Sequence, residues 1–340
     1  MLKEKIRKLI FDRPNVLQAS RVALTSKFVA NNPLYKNFVM KKARRYAKEC
    51  KEYEKVISVE TTLSCNARCV FCAHHNQVMT GTMSMEIFEK IIDECHEHGI
   101  QLINFGVYGE LLTDKFLFER IKYLRKYNMT YSFFTNASLL KPEITDKLFE
   151  MGGLAGVNFS INGFSREIYE KTMVGLKRDV AYENTLYFLE QKGKLNLDEL
   201  AVHISAVRTK LNKKDFKEFF KFWKKQKGVS MVWSLELMDR MGNDYDGKLG
   251  KLGLMDNKHN WLSPCKILWG PIRIFYDGRV SPCCKDDDKR ELIIGDISKQ
   301  TLKEILTGEA LNSLRQLHLS DKRNSHPICG KCHLNSVWLG

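Results

Sequence analysis

Two hydrophobic periods alternate along this chain. Short apolar, β-favouring runs occur at Val56–Thr61, Leu102–Tyr108, Thr130–Thr135, Gly156–Ile161, Leu200–Val207 and Ser230–Leu237, each with the length of a buried strand. Between most of them the period lengthens to 3.6. Ile87, Phe88, Ile91 and Ile92 share one face of a helix from Met85 to His98, as do Phe216, Phe219, Phe220 and Trp223 over Asp215 to Lys225. Six strands with helical crossovers predict an α/β fold with a parallel sheet and right-handed connections. In such folds ligands gather at the C-terminal ends of the strands.

The flanks read differently. Before Val56 the pattern gives short helices, broken by Pro14 and by Asn31-Asn32-Pro33, then a basic helix from about Tyr35 to Glu54. Met241 to Asn260 is rich in Gly, Asp, Asn and Lys without a sustained period and reads as a linker or lid. Ile272–Tyr276, Asp277-Gly278 and Arg279–Cys283 predict a hairpin, and a helix is expected from about Thr301 to Leu317. No internal repeat is visible. The expected division is a leader over 1–55, a main domain over 56–240, a linker over 241–264 and a small metal-stapled appendage over 265–340.

Composition narrows the class. At 44% hydrophobic and 28% charged, the chain reads as soluble and globular, and no run approaches the roughly 20 apolar residues of a membrane span. The N-terminus breaks into charge too often for a signal peptide. A reducing, cytoplasmic setting is therefore expected, in which ten cysteines point to metal rather than disulfides. Residues 1–55 hold 15 Lys/Arg against 5 Asp/Glu, most of the chain's net +15. Such a leader suits a phosphate-bearing substrate, a nucleic acid or peripheral contact with an anionic membrane, or it is a pair of solvated helices.

Cys65, Cys69 and Cys72 stand at CxxxCxxC spacing just after the first strand, with Phe71 before the last. Three thiolates on one loop can hold three corners of a 4Fe–4S cluster and leave the fourth iron open. His74 or His75 could instead complete a zinc site, or the thiols could be buried and free. The open-iron pattern resembles the radical S-adenosylmethionine (SAM) enzymes. Gly106-Val107-Tyr108-Gly109-Glu110-Leu111-Leu112 resembles that family's GGEP motif, with Tyr108 and Leu111 departing from it. Thr135-Asn136, followed by Ala137, is similar to its Thr-Asn-Gly, and Ser160-Ile161-Asn162-Gly163 to its Ser-x-Asp-Gly. The resemblance implies a partial (βα)6 barrel, with Glu60, Gly109, Glu110, Asn136, Ser160 and Asn162 as SAM contacts. Capping and turn chemistry is the rival account of these polar residues.

A second group, Cys265, Cys283, Cys284, Cys329 and Cys332, can build a tetrathiolate zinc ribbon or a fully ligated Fe–S cluster. Its spacing resembles the shortened SPASM domain called twitch. That resemblance implies one auxiliary 4Fe–4S cluster on Cys265, Cys283, Cys329 and Cys332, with Cys284 as substitute for Cys283. It also implies reductive cleavage of SAM at the first cluster to a 5′-deoxyadenosyl radical, which takes a hydrogen atom from substrate. The expected reaction is dehydrogenation of a sugar- or cyclitol-like, phosphate-bearing molecule, with a flavodoxin or ferredoxin as low-potential donor. Glu236, Arg208 and Arg240 are the expected catalytic group at the barrel mouth, with Asp239 and His203 behind them. A peptide maturase forming crosslinks or epimers is the rival enzyme, and a non-catalytic Fe–S or zinc binding protein the rival outside enzymes.

Overall fold

Why the six predicted runs become one sheet follows from their alternation. The computed structural model describes residues 32–50, 55–72, 80–106, 108–237, 261–284 and 290–332, leaving aside the side chain at 236. Its strands are β1 (Val56–Val59), β2 (Arg68–Cys69), β3 (Leu102–Phe105), β4 (Thr130–Thr135), β5 (Leu154–Ser160), β6 (Met173–Val174), β7 (Ala201–Arg208), β8 (Met231–Glu236), β9 (Arg273–Ile274), β10 (Arg279–Ser281) and β11 (Gly295–Asp296). The six expected runs are β1, β3, β4, β5, β7 and β8, all parallel and adjacent in that order. A sequential order has no reversal point, so every crossover helix lies on the same face of the sheet. This is a partial (βα)6 barrel, open between β8 and β1.

One face carries Ile57, Val59, Ile103, Phe105, Tyr131, Phe133, Val157, Phe159, Val202 and Ile204, all buried in one core with Phe88, Ile91, Ile121, Leu124, Leu148 and Phe188. Each such side chain contributes roughly 1.5–3 kcal/mol by leaving water. Successive residues point to opposite faces, so Ser58, Asn104, Ser132, Asn158, Ser160, His203 and Ser205 line the inner face. The helix Met85–Glu97 matches its predicted span and begins where the Ser84 side chain accepts from the Ile87 N–H. The helix Phe216–Trp223 is likewise where its apolar stripe placed it, with Phe216, Phe219 and Trp223 buried.

The C-terminal hairpin forms as expected, turning at Asp277-Gly278 with Gly278 at φ +88°. It does not stand apart as an appendage: β9 pairs parallel with β1 and extends the barrel's free edge. The helix expected from Thr301 to Leu317 is two, Leu302–Thr307 and Glu309–Leu319, because Gly308 is extended between them and serves as cap to both. The basic helix runs Pro33–Glu49, capped by Asn32. It packs on the C-terminal region rather than the barrel: Val39, Met40 and Ala43 bury Trp261, and the Arg44 guanidinium donates to the Leu319 carbonyl at 3.2 Å. The rest of the leader, residues 51–54, the linker 241–260, His74, His75, Asp239 and Arg240 lie outside the described residues.

Candidate active site and cysteine cavity

The first cysteine group sits where the strand-end rule puts a ligand. β1 ends at Val59, and the chain turns through Glu60 and Thr61 into a loop held by backbone. Thr62 bridges Thr82, β2 pairs antiparallel with β6, and the Val70 N–H donates to the Thr172 carbonyl at 3.0 Å. Arg68 closes the loop on itself, donating to the carbonyls of Cys65 and Ala67 at 2.9 and 2.7 Å. Cys65, Cys69 and Cys72 are all unpaired by disulfide and partly buried. Burial pushes the Cys65 thiol up to about 11, and Glu110 and Cys72 add to the shift while Arg68 opposes it. Burial also raises Cys69 well above the usual thiol range, reinforced by Cys72 and Cys65. Three thiols close enough to oppose one another's ionisation are costly as bare thiolates. A cationic iron centre removes that cost, so this donor set fits a cluster.

The segment after β3 is built around the same loop. Gly109 has φ +77°, and a Cβ there would lie 2.6 Å from the Thr62 carbonyl oxygen and 2.7 Å from that of Ser64. Only glycine permits that approach. Next to it, the Glu110 N–H donates to the Ser64 carbonyl at 2.8 Å, and the Thr113 hydroxyl to the same oxygen at 3.0 Å. The Glu110 carboxylate is buried, accepting from the Thr135 hydroxyl and from the Asn136 N–H, both at 2.7 Å. Burial raises its pKa, and those donors pull it back. Asn136 crosses to the cysteine loop, its amide donating to Asn66 Oδ1 at 3.0 Å, while Asn66 donates to the Ser138 hydroxyl at 2.8 Å. Asn66 had no signal in the sequence beyond lying inside the cysteine motif, and Ser138 none beyond following Thr135-Asn136-Ala137.

Other expected contacts are occupied by the fold. Asn162 is fully buried; its Oδ1 accepts from the Val207 N–H at 2.7 Å, and its Nδ2 lies 3.3 Å from the Ser160 hydroxyl. It ties the end of β5 to that of β7. Glu60 is also fully buried, receiving Arg290 at 2.7 Å and the Tyr276 N–H at 3.3 Å. Arg290 itself stacks over the Phe275 ring, 4.4 Å from its centroid. Nothing in the sequence marked Arg290, which is 230 positions from its partner.

The expected catalytic group divides by face. Arg208 follows Ala206 and Ile204 on the helix side of β7, and its guanidinium lies 5.0 Å from the Phe216 ring centroid. Glu236 stands opposite Arg208 in the ladder. The inner face instead carries paired polar groups: the Asn104 amide donates to Ser132 at 3.0 Å and the Asn158 amide to Ser205 at 2.6 Å. His203, in register with Asn158, shares that face, and burial lowers its pKa below the ordinary 6.5. Their signal was the period-2 alternation itself, in segments such as Leu102-Ile103-Asn104-Phe105, where polar positions inside an apolar strand face the lumen.

The second cysteine group lines a cavity in the C-terminal region. Cys265, Cys283, Cys329 and Cys332 border it together with His318 and Arg323, and Cys284 does not. Cys265, Cys329 and Cys332 are buried. Burial raises the Cys265 thiol while the Arg323 guanidinium opposes the shift. Arg323 is anchored on the Ser263 carbonyl at 2.6 Å. His318 accepts the Cys265 N–H at Nδ1, 3.1 Å away, and burial with the nearby Arg323 holds its pKa down to about 3. Four thiols around one buried space fit a fully ligated cluster.

An open barrel with a three-cysteine loop past its first strand, and a four-cysteine cavity beyond its last, defines the class: this chain belongs to the radical SAM superfamily. The model of that superfamily matches residues 59–222, and that of an iron–sulfur cluster-binding domain, SPASM, matches 265–333. The cofactors are accordingly a SAM-binding 4Fe–4S cluster, auxiliary Fe–S ligation at the C-terminal cysteines, and SAM. Among curated proteins, the chain is 23% identical over 318 residues to the tungsten-containing aldehyde ferredoxin oxidoreductase cofactor-modifying protein of Pyrococcus furiosus, covering 83% of this chain and 88% of that one. Among solved structures, it resembles BtrN in complex with AdoMet and 2-DOIA, with TM-score 0.58 and 17% identity over 84% of this chain and 95% of that one. It also resembles Streptococcus suis SuiB bound to precursor peptide SuiA, with TM-score 0.60 and 14% identity over 97% and 83%. At those identities the structural likeness concerns the fold.

Proposed function

We propose that this radical SAM enzyme dehydrogenates an alcohol carbon of a sugar- or cyclitol-like small molecule. The observation that carries this reading is the inner face of the barrel. Asn104, Ser132, Asn158, Ser160, His203 and Ser205 offer small donors and acceptors at successive ladder positions, the chemistry that recognises hydroxyls. Phe134 and Leu235 stand exposed on the same face and supply apolar contact for a ring's carbon face. The curated relative's description as a cofactor-modifying protein also sides with a small molecule over a peptide.

When bound, SAM and the first cluster supply a radical that can abstract hydrogen from an unactivated carbon, and the protein supplies position and exclusion of water. Cys65, Cys69 and Cys72 would hold that cluster. Gly109 and Glu110 brace the loop, and Asn136 locks it to the end of β4. Dehydrogenation of an alcohol removes a hydrogen atom from carbon, a proton from the hydroxyl and one further electron. His203 is the inner-face group suited to take the proton, because its lowered pKa keeps it neutral near pH 7. The C-terminal cysteines would hold the electron acceptor, and a low-potential donor such as a flavodoxin or ferredoxin would reduce the first site. Glu236, Arg208 and Arg240 remain a second candidate group at the barrel mouth.

The helix Pro33–Glu49 presents Lys41, Lys42 and Arg45 beside exposed Leu34 and Phe38, which supports a phosphate-linked substrate or peripheral contact with anionic lipid. Anaerobic incubation with SAM, dithionite and C-deuterated sugar or cyclitol candidates tests the substrate. Deuterium in 5′-deoxyadenosine together with a ketone product supports the reading. Transfer only from a peptide, or a product at the same oxidation level as substrate, overturns it. Equal turnover of phosphorylated and phosphate-free forms removes the phosphate from the proposal.

A further inference from the structure

His318 is the one buried histidine in the C-terminal cavity whose second nitrogen has no partner among the described residues. Its side chain is fully buried, it borders the cavity with the four cysteines, and its Nε2 makes no hydrogen bond there. A buried polar atom without a partner costs about 1–3 kcal/mol, so it calls for an explanation. The other nitrogen fixes the tautomer. Nδ1 accepts the Cys265 N–H at 3.1 Å, which requires a lone pair there and leaves the ring hydrogen on Nε2.

We infer that His318 Nε2–H donates a hydrogen bond to a sulfur of the auxiliary cluster and sets its reduction potential. Hydrogen bonds to cluster sulfurs stabilise the more negative, reduced state and so raise the potential. His318 sits in the helix Glu309–Leu319, and through Cys265 it is joined to one of the ligands it would serve. His326, which follows in the chain, is placed differently: its Nδ1 accepts the N–H groups of Ile328 and Cys329 at 3.2 and 3.1 Å, bracing the ligand turn. The inference rests on the auxiliary cluster alone and not on the substrate reading, so the two can fail separately.

The test is an EPR-monitored redox titration of the full chain carrying Cys65/Cys69/Cys72→Ala, in which only the auxiliary cluster titrates. His318→Asn keeps an acceptor for the Cys265 N–H but places no donor at the Nε2 position; His318→Gln reaches that position with an amide N–H. About tenfold weaker reduction is expected for His318→Asn, ~59 mV downward for a one-electron couple, with most of it restored in His318→Gln. Unchanged potentials across the series overturn the inference. If the His318 variants fail to assemble a cluster, ¹⁵N-histidine labelling of the Cys65/Cys69/Cys72→Ala chain with His318 intact decides, with His326→Gln as background. A weak ¹⁵N hyperfine coupling on the reduced cluster supports the donor. A strong coupling makes His318 a ligand, and no coupling removes it; either result overturns the proposal.

Discussion

The two cysteine groups would hold iron by opposite routes. Cys65, Cys69 and Cys72 occupy one loop at the end of β1, partly exposed, with a buried carboxylate behind them. Cys265, Cys283, Cys329 and Cys332 arrive from three separated segments around a buried cavity, with a guanidinium and a neutral imidazole for company. A set drawn from one loop approaches from one side and leaves an iron open to a reactant. A set drawn from several segments surrounds its cluster and suits electron transfer. The loop can be assembled by local turns; the cavity exists only after the hairpin, the helix Glu309–Leu319 and the terminal turn have met.

Removing each group is the largest test of that contrast. Cys65/Cys69/Cys72→Ala is expected to abolish formation of 5′-deoxyadenosine and lower iron from about eight to about four per chain. Cys332→Ala is expected to retain slow SAM cleavage under dithionite while losing the ketone product. If it also stops SAM cleavage, the division between an open site and an electron-transfer site breaks. Next in size is the link between the two regions. Glu60 and Arg290 are 0% and 6% exposed at 2.7 Å, and removing one partner of such a pair costs about 3–5 kcal/mol. Arg290→Met should therefore lower the unfolding free energy from denaturant titration by that amount, and Glu60→Gln with Arg290→Met should recover part of it.

A smaller effect is expected at the proton acceptor. His203→Asn should reduce the rate of dehydrogenation by about 10²-fold while sparing uncoupled SAM cleavage. With the folded pKa lowered by burial, the neutral imidazole accumulates as pH rises through a value below 6.5. The acidic limb of the rate profile should thus lie below pH 6.5 and vanish in the variant. Persistence of that limb would return the role to another group. Gly109→Ala should weaken SAM binding by roughly tenfold, about 1.4 kcal/mol, since its Cβ would displace backbone oxygens at 2.6 and 2.7 Å. Equilibrium binding of SAM to the reconstituted protein reads that shift.

The local signals were legible in the sequence and the distant ones were not. Each of the six strand runs carries its own apolar period, and all six became strands within a few residues of their expected ends. CxxxCxxC and Gly109-Glu110 announce themselves because their geometry is set by neighbours in the chain. Glu60 reads from the sequence as a SAM contact at a strand end, because its partner Arg290 comes from the far side of the hairpin. Cys283 and Cys284 are adjacent and chemically alike; Cys283 borders the cavity, and Cys284 lies near enough to Cys265 to add to the rise of its thiol pKa. His318 lies in a helix and reads as an ordinary last-turn histidine until the fold brings it to Cys265.

Arg208 yields the smallest expected effect and the sharpest check on how strand faces assign chemistry. A charged residue at the end of a barrel strand invites a catalytic role, but one step of register exchanges lumen for helix layer. Arg208 shares its face with Ile204 and Ala206, and its guanidinium lies over Phe216 rather than beside Asn158 or Ser205. A partly exposed contact of that kind is worth about 0.5–1 kcal/mol. Arg208→Met should lower stability by about that much and change turnover less than about twofold, whereas a group in the lumen should cost far more. Measured side by side with His203→Asn, a loss for Arg208→Met of about 10²-fold would move the reacting centre to the rim of β7 and β8. It would also restore Arg208 and Glu236, opposite each other in the ladder, as the catalytic pair.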